Sequence, residues 1–545
     1  MSVPEFTLGE TLSACLSSGC TVDVSNLLAS LSGWEWAGVV LAALVVLRVI
    51  LDVSQRKHAI VHNFPLVGHL RYILETVGPE LRQYIVTSND EERPFSRDQR
   101  RWIYASSKNA NNLFGFGTDN DLEQEANYIT IKHAVFSLHD PHKGDPDFDP
   151  QYRIPSAKVM GAARGRAKAF RPASVVNVSA MSFGALGKNA VMALNMGCKQ
   201  AGAMQNTGEG GISPYHQKGG DLVWQIGTGY FGCRDERGNF DLERLKQTVA
   251  RLPIRMLEIK LSQGAKPSKG GILPAAKVTR EIAAIRGVPQ GQDCMSPATH
   301  KAFHDADSLL DFVERLAQET GLPVGIKSAV GQMAFWEELA AKMEKGDRGV
   351  DFITIDGGEG GTGAAPLVFA DHVSLPFKIG MSRVYRLFAQ RGLQDRITFI
   401  GSGKLGFPPQ ALVAFSLGCD MVNVAREAML SIGCIQAQRC HTGHCPAGVA
   451  TQNPWLNRGL DPKVKAVRAA NYLRTFRMEL LQVSRACGVA HPSLLLAEHL
   501  EMLDGEYGSR RVKDVFGYED QWGVPSAKDQ KEIIRIMNER DFGGD

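Results

Sequence analysis

The chain has 545 residues, of which 44% are hydrophobic and 22% charged, and its formal net charge is +3. This is room for a large catalytic domain with additions, and it excludes a disordered chain. No basic tract occurs, which excludes a nucleic-acid partner, and ten cysteines are too few for a disulfide scaffold. The first predicted element is a membrane helix. Ala37 to Ile50 are apolar except for Arg48, and with Trp34, Trp36, Leu51 and Val53 the stretch reaches the ~20 residues a span needs. The plain alternative is a buried helix, because Glu35, Arg48 and Asp52 trim the apolar run. Charge favours the membrane: no Lys or Arg precedes Arg48, while Arg56 and Lys57 follow it. The positive-inside rule then puts the N-terminus, with Cys15 and Cys20, outside and the catalytic body in the cytoplasm, held by a single pass. A cleaved signal peptide fits poorly, since the apolar run starts late without basic residues before it.

The chain is therefore divided into an extracytoplasmic tail (1–33), the span (34–53), an N-terminal accessory region (54–170), a barrel (171–454) and a helical C-terminal region (455–545). The accessory region is charged and contains prolines, with an irregular loop at 139–146. From there β-type runs recur at Val175–Ala180, Met204–Asn206, Val223–Ile226, Met256–Leu261, Pro323–Lys327, Phe352–Asp356, Ile397–Ile400 and Met421–Val424. Amphipathic segments lie between most of them, at Leu186–Gln200, Asp241–Leu252, Ala275–Ile285, Ser308–Thr320, Met333–Lys345, Met381–Gln390 and Gln410–Leu417. Eight strands alternating with helices predict a (β/α)8 TIM barrel of the α/β class. The tail offers two helical stretches, Pro462–Cys487 and Pro492–Leu503, read as a cap on the barrel.

Three groups of residues carry chemistry. Cys434, Cys440 and Cys445 follow a C-x5-C-x4-C spacing with Pro446 after the last. Three such thiolates suit an iron–sulfur cube or a zinc ion completed by His441 or His444, and spacing alone does not choose. Glycine-rich loops follow the last strands, Gly357-Gly-Glu-Gly-Gly-Thr-Gly and Gly401-Ser-Gly-Lys-Leu-Gly, where such barrels hold phosphate. Gly227-Thr-Gly-Tyr-Phe-Gly and the Gly401 loop both match G-x-G-x-x-G, yet neither opens a dinucleotide-binding βαβ unit. Lys260 and Lys327 end strands at the barrel mouth, where they meet an anionic ligand or, more plainly, a barrel carboxylate such as Glu258. The loop from Ser262 to Gly271 adds Lys266 and Lys269, which suit a dianionic substrate or a solvated surface.

Five runs in order resemble the FMN domain of glutamate synthase across about Ser174 to Pro454. They are Ser179-Ala-Met-Ser-Phe-Gly-Ala-Leu, Asn206-Thr-Gly-Glu-Gly-Gly, Ile259-Lys-Leu-Ser-Gln-Gly-Ala-Lys-Pro, Asp356-Gly-Gly-Glu-Gly-Gly-Thr-Gly-Ala and the cysteine segment through Gln452. The resemblance implies FMN on the barrel and a [3Fe-4S] cluster on Cys434, Cys440 and Cys445. It implies reductive amination of 2-oxoglutarate with ammonia to glutamate, driven by a separate electron donor such as ferredoxin or a reductase subunit. It further implies that Lys266 binds a substrate carboxylate, that Glu209 lies beside the substrate and that Arg286 takes the other carboxylate. Ser182, Gln225, Lys327, Gly358, Gly361, Gly401, Gly403 and Arg426 would line the FMN site.

The chain also departs from the family pattern. It begins Met1-Ser2 without a glutaminase domain, and the family's C-terminal β-helix is missing. Ile272 stands where a substrate-binding glutamine is usual, and Gly401-Ser-Gly where Asp-Gly-Gly is usual. Ile272 supports a second function, a related oxidoreductase or amine-transfer enzyme for another oxo acid. A third, from a different class, is a membrane electron-transfer subunit without its own substrate.

Overall fold

The computed structural model describes residues 31–55, 61, 64–81 and 91–542, apart from 114, 116, 119, 123 and 124. Cys15, Cys20, Arg56 and Lys57 lie outside the described residues. Two compact units divide the chain, Met1–Thr87 and Ser88–Asp545.

In the first unit a helix runs over Gly33–Ser54, and it is long and apolar enough to cross a membrane, with a mean hydropathy of 2.3. Its start is fixed by a capping box, in which Ser32 and Glu35 satisfy each other's backbone N–H groups. Its 22 residues rise about 33 Å at 1.5 Å each, enough for a hydrocarbon core of about 30 Å. Only its last turn carries a buried polar residue: Asp52 accepts from the Leu66 N–H at 3.0 Å and pairs with Arg48 at 3.2 Å and His69 at 2.9 Å. A second helix follows at Gly68–Leu81.

The second unit holds a closed barrel of eight parallel strands. They are β1 (Val176–Val178), β2 (Gln205–Asn206), β3 (Leu222–Ile226), β4 (Ile254–Lys260), β5 (Val324–Ser328), β6 (Phe352–Asp356), β7 (Thr398–Ser402) and β8 (Met421–Val424). Each falls on an expected run, and β8 closes on β1 with Val422 opposite Val176. The N-terminal end of the barrel is plugged. Met204, Val223, Met256, Phe352, Ile400 and Met421 cluster there with Met160, and Phe170 packs against them. That leaves the C-terminal end of the strands as the working face.

Six of the seven expected helices form close to their sequence limits. The exception is Ala275–Ile285. It splits into a 3-10 turn at Ala275–Lys277 and a helix at Arg280–Arg286, restarted by Thr279, whose hydroxyl caps the Ile282 N–H. It belongs to an excursion in the β4–β5 connection, closed by antiparallel pairing of Ile272–Leu273 with Cys294–Met295. The barrel helix of this connection is Ala306–Thr320.

The C-terminal helix Pro462–Ala486 forms as one piece. The helix expected over Pro492–Leu503 does not. His491 caps a 3-10 turn at Pro492–Leu494, and Leu500–Leu503 is a strand paired antiparallel with Ile129–Ile131 of the accessory region. A further helix, Ala527–Glu539, was not expected. The accessory helix Arg97–Ser107 lies on Pro462–Ala486 through Trp102, whose indole N–H donates to Glu479 at 2.8 Å and whose ring meets Tyr472 and Phe476 edge-on. Tyr104 donates to the Cys434 carbonyl at 2.7 Å, so this helix also braces the cysteine segment.

Candidate active site

At the mouth, Glu209 follows β2 in a slot walled by two glycines. A Cβ on Gly227 would lie 2.6 Å from the Glu209 Cβ, and one on Gly271 would lie 2.7 Å from its carboxylate. Lys260, the last residue of β4, pairs with the Glu209 carboxylate at 3.0 Å and donates to Gln263 at 2.6 Å. His300 packs behind it, with Nε2 2.9 Å from the Lys260 carbonyl and Nδ1 3.1 Å from the Tyr230 hydroxyl. Burial pushes the Glu209 pKa up, but Lys260, Lys266 and Arg286 outweigh it and hold the carboxyl below its usual range.

Lys266 is buried in the loop after β4 and donates to the Gly270 carbonyl at 3.1 Å. Burial, opposed by Glu209 and reinforced by Lys260 and Lys269, brings its pKa down to about 8. Arg286 is buried too, and reaches Ser182 Oγ at 3.4 Å and the Phe183 carbonyl at 3.3 Å. Its Nε is buried without a hydrogen bond. A Cβ at Gly210 would lie 2.8 Å from its guanidinium and one at Gly184 3.1 Å, so Gly210 above all makes its room.

A second ion pair stands on the next strands. Lys327 at the end of β5 lies 3.5 Å from Asp356 at the end of β6, and Asp356 also accepts from the Gly264 N–H at 3.0 Å. Beyond β6, Gly361 lies against the Arg426 side chain, whose guanidinium donates to the Glu359 carbonyl. Gly403 has φ +116° and faces the Gly357 N–H. The glycines and Arg426 at the ends of β6, β7 and β8 stand where such barrels hold phosphate, with the Gly357 and Gly358 N–H groups donating to the Ser402 and Leu375 carbonyls.

The cysteine segment lies beside the loop after β6, for a Cβ on Gly363 would come within 3.1 Å of Cys440. Cys434, Cys440 and Cys445 are all free thiols. The chain wraps through positive φ at Gly433, Gln436, Gln438, Gly443 and Gly448. Burial pushes the Cys434 thiol up to about 12 and raises Cys440. Tetrahedral zinc with bonds of ~2.3 Å would draw its sulfurs to about 3.8 Å of one another. The three sulfurs do not gather within 4.8 Å, nor do His441 and His444 join them.

The profile of the conserved region in glutamate synthase matches residues 153–490. The chain belongs to the glutamate synthase family. Members of this family are oxidoreductases acting on CH–NH2 donors. The chain is 39% identical over 480 residues to the glutamate synthase large subunit-like protein YerD of Bacillus subtilis, covering 83% of this chain and 91% of that one. It is 36% identical over 320 residues to the archaeal glutamate synthase (NADPH) of Methanocaldococcus jannaschii, covering 58% of this chain and 59% of that protein. Among solved structures, a mutant flavocytochrome b2 with sulfite bound aligns with a TM-score of 0.40 and 14% identity, over 80% of this chain and 86% of that one.

For this member of the glutamate synthase family, the expected residues sort by position. Glu209, Lys266, Arg286 and Ser182 come together through the contacts above, and Gly361 and Arg426 lie against each other, while Gly358 donates its N–H to the Leu375 carbonyl. Gln225 instead donates from Nε2 to Glu258 at 2.7 Å inside the barrel. Gly401 places its missing side chain against Leu405, Phe377 and Cys419, so only its backbone can serve the mouth. Neither mouth lysine pairs with Glu258: Lys260 takes Glu209 and Lys327 takes Asp356. His300, Asp356 and Lys277 escaped the sequence argument. The aspartate before a glycine-rich loop was the one local signal among them.

Proposed function

We propose that the body is a glutamate synthase-like oxidoreductase using FMN and a [3Fe-4S] cluster, which aminates 2-oxoglutarate or a close oxo acid with ammonia. The observation that carries this is Glu209 among Lys260, Lys266 and Arg286 at the mouth of a barrel of this family. A carboxylate among buried cations suits an anionic substrate that also gains a cationic nitrogen. Lys266 binds one substrate carboxylate and Arg286 the other. Ionised Glu209 accepts hydrogen bonds from the incoming nitrogen, and Lys260 keeps it oriented. FMN, lined by Gly358 and held by the backbone of Gly361 and Gly403 with Arg426 and Lys327, would supply hydride chemistry when bound. Three free thiols on one short glycine-rich segment support a multi-iron centre on Cys434, Cys440 and Cys445. Electrons come from a separate donor, a ferredoxin or a reductase subunit. Gly33–Ser54 anchors the body to the cytoplasmic side of a membrane as a single span.

One observation favours a second reading. Ile272 follows Gly271, which lies against the Glu209 carboxylate, and its aliphatic side chain is 38% exposed. It offers no amide to a distal carboxylate, so a less polar oxo acid fits this position better than 2-oxoglutarate.

Anaerobic titration of the reduced full-length protein with ammonium and a panel of oxo acids tests both readings. Reoxidation of the flavin by 2-oxoglutarate supports the first, and reoxidation by another oxo acid alone supports the second. A flavin that stays reduced with every acid overturns both and leaves an electron-transfer subunit.

A further inference from the structure

Among the described residues four lysines are buried: Lys158, Lys266, Lys277 and Lys327. An ammonium removed from water needs compensating negative charge. Lys158 has Asp420 at 3.1 Å, Lys327 has Asp356 at 3.5 Å and Lys266 feels Glu209. Lys277 differs. It is 5% exposed, and its ammonium donates to two backbone carbonyls of the cysteine segment, Cys440 at 2.7 Å and Ala450 at 3.2 Å. The titratable groups that act on it are the Cys440 and Cys445 thiols, with no carboxylate among them. Its place in the chain is equally specific. Lys277 ends the 3-10 turn that splits the expected helix, in the excursion that also carries Ile272 and Arg286. Among the described residues, the cation is thus buried against the backbone of a ligand segment with no carboxylate beside it.

We propose that Lys277 is the countercation of the metal centre on Cys434, Cys440 and Cys445 and sets how readily that centre takes up an electron. This rests on the iron–sulfur reading given above. An iron–sulfur core bound by three thiolates is anionic in both redox states. Reduction adds one electron and one negative charge, with no bond made or broken. A fixed neighbouring cation stabilises the more negative state by more, so it favours reduction. Two hydrogen bonds to the segment's own carbonyls hold that charge in place. The excursion carrying Arg286 is thereby tied to the metal segment by an electrostatic contact as well as by the chain.

The test is an anaerobic redox titration of full-length protein, followed by the magnetic resonance signal of the cluster, with iron content measured in parallel. Lys277→Met keeps the length of the side chain and removes its charge. Lys277→Arg keeps the charge. The expected result is an equal iron content in all three proteins. At fixed potential the Met variant then shows a reduced-to-oxidised ratio at least about tenfold lower, which is about 59 mV for one electron, while the Arg variant stays within about threefold of the parent. Iron loss in the Met variant alone also supports the countercation. Equal ratios in the parent and Met proteins overturn the inference while leaving the cluster standing. Loss of iron from both variants marks Lys277 as a structural clip and overturns it too. Absence of iron from the parent protein removes the cluster reading and the inference together.

Discussion

Two carboxyl groups in the barrel make opposite use of burial. Glu258, midway along β4, is 1% exposed and accepts three hydrogen bonds from neutral donors: Asn206, Gln225 and Thr354, each at 2.7 Å. Those donors come from β2, β3 and β6, so Glu258 ties the barrel wall from inside and has little left to offer a ligand. Glu209, one loop away, is held by cations instead, and around it Lys266 and the Arg286 Nε keep unspent donor capacity. A satisfied polar network is architecture; a charged and incompletely satisfied one is a place for a ligand.

The largest effect that this contrast predicts is on folding. Glu258→Ala leaves three buried donors unpartnered at about 1–3 kcal/mol each. The expected loss is roughly 3–9 kcal/mol of stability, read as the shift in the denaturant midpoint of the purified protein. A midpoint within experimental scatter of the parent's would break the comparison.

Lys266→Ala should do the reverse and spare the fold. A buried charge partner for a bound carboxylate is worth about 2–5 kcal/mol, so oxo-acid affinity by calorimetry should fall at least about tenfold while the melting temperature holds. Unchanged affinity would move the substrate elsewhere.

The pH dependence sharpens the same point. With its pKa brought down to about 8, Lys266 is protonated below that value in the free protein and loses its proton as pH rises through it. Bound carboxylate favours the charged form, so above about pH 8 binding must take up a proton. Oxo-acid affinity should therefore be flat from pH 6.5 to 7.5 and fall by up to about tenfold per unit well above pH 8. A fall that starts only beyond pH 10 would place Lys266 in water.

The smallest effect is on specificity. Ile272→Gln offers a distal carboxylate one hydrogen bond, worth about 1 kcal/mol, so 2-oxoglutarate affinity should rise roughly fivefold. A drop, with another oxo acid binding well, favours the second reading of the substrate.

The barrel was legible because each strand is a short buried run and most are followed by a glycine-rich or polar loop, with amphipathic segments between. Which side chain faces the axis was not. Both faces of a parallel barrel strand are buried, so the alternation that fixes facing in an open sheet is missing. Gln225, expected to line the FMN site, is thus found donating to Glu258, and Gly401, expected there too, turns its Cα toward Leu405 and Phe377 and leaves its backbone for the mouth. The resemblance gathered Glu209, Lys266 and Arg286 correctly as neighbours, yet their organising partner Lys260 was assigned only a choice of anions. Helical periodicity over Ala275–Ile285 hid Lys277, because the turn that exposes its role depends on Thr279 and on a hairpin partner at Cys294–Met295. The helix expected over Pro492–Leu503 failed for the same kind of reason: its strand is the middle of a small sheet, with Ile129–Ile131 on one side and Ser509–Arg511 on the other.

That last pairing also dictates an order of events at the ribosome. Ile129–Ile131 emerges before any barrel strand, and its partner Leu500–Leu503 only after all eight. At roughly 5–20 residues per second, the accessory segment waits tens of seconds for it, with the barrel assembling in the interval. The first part of the body to be made is thus among the last to lock, and a nascent chain stalled before Leu500 would carry a finished barrel without its clasp.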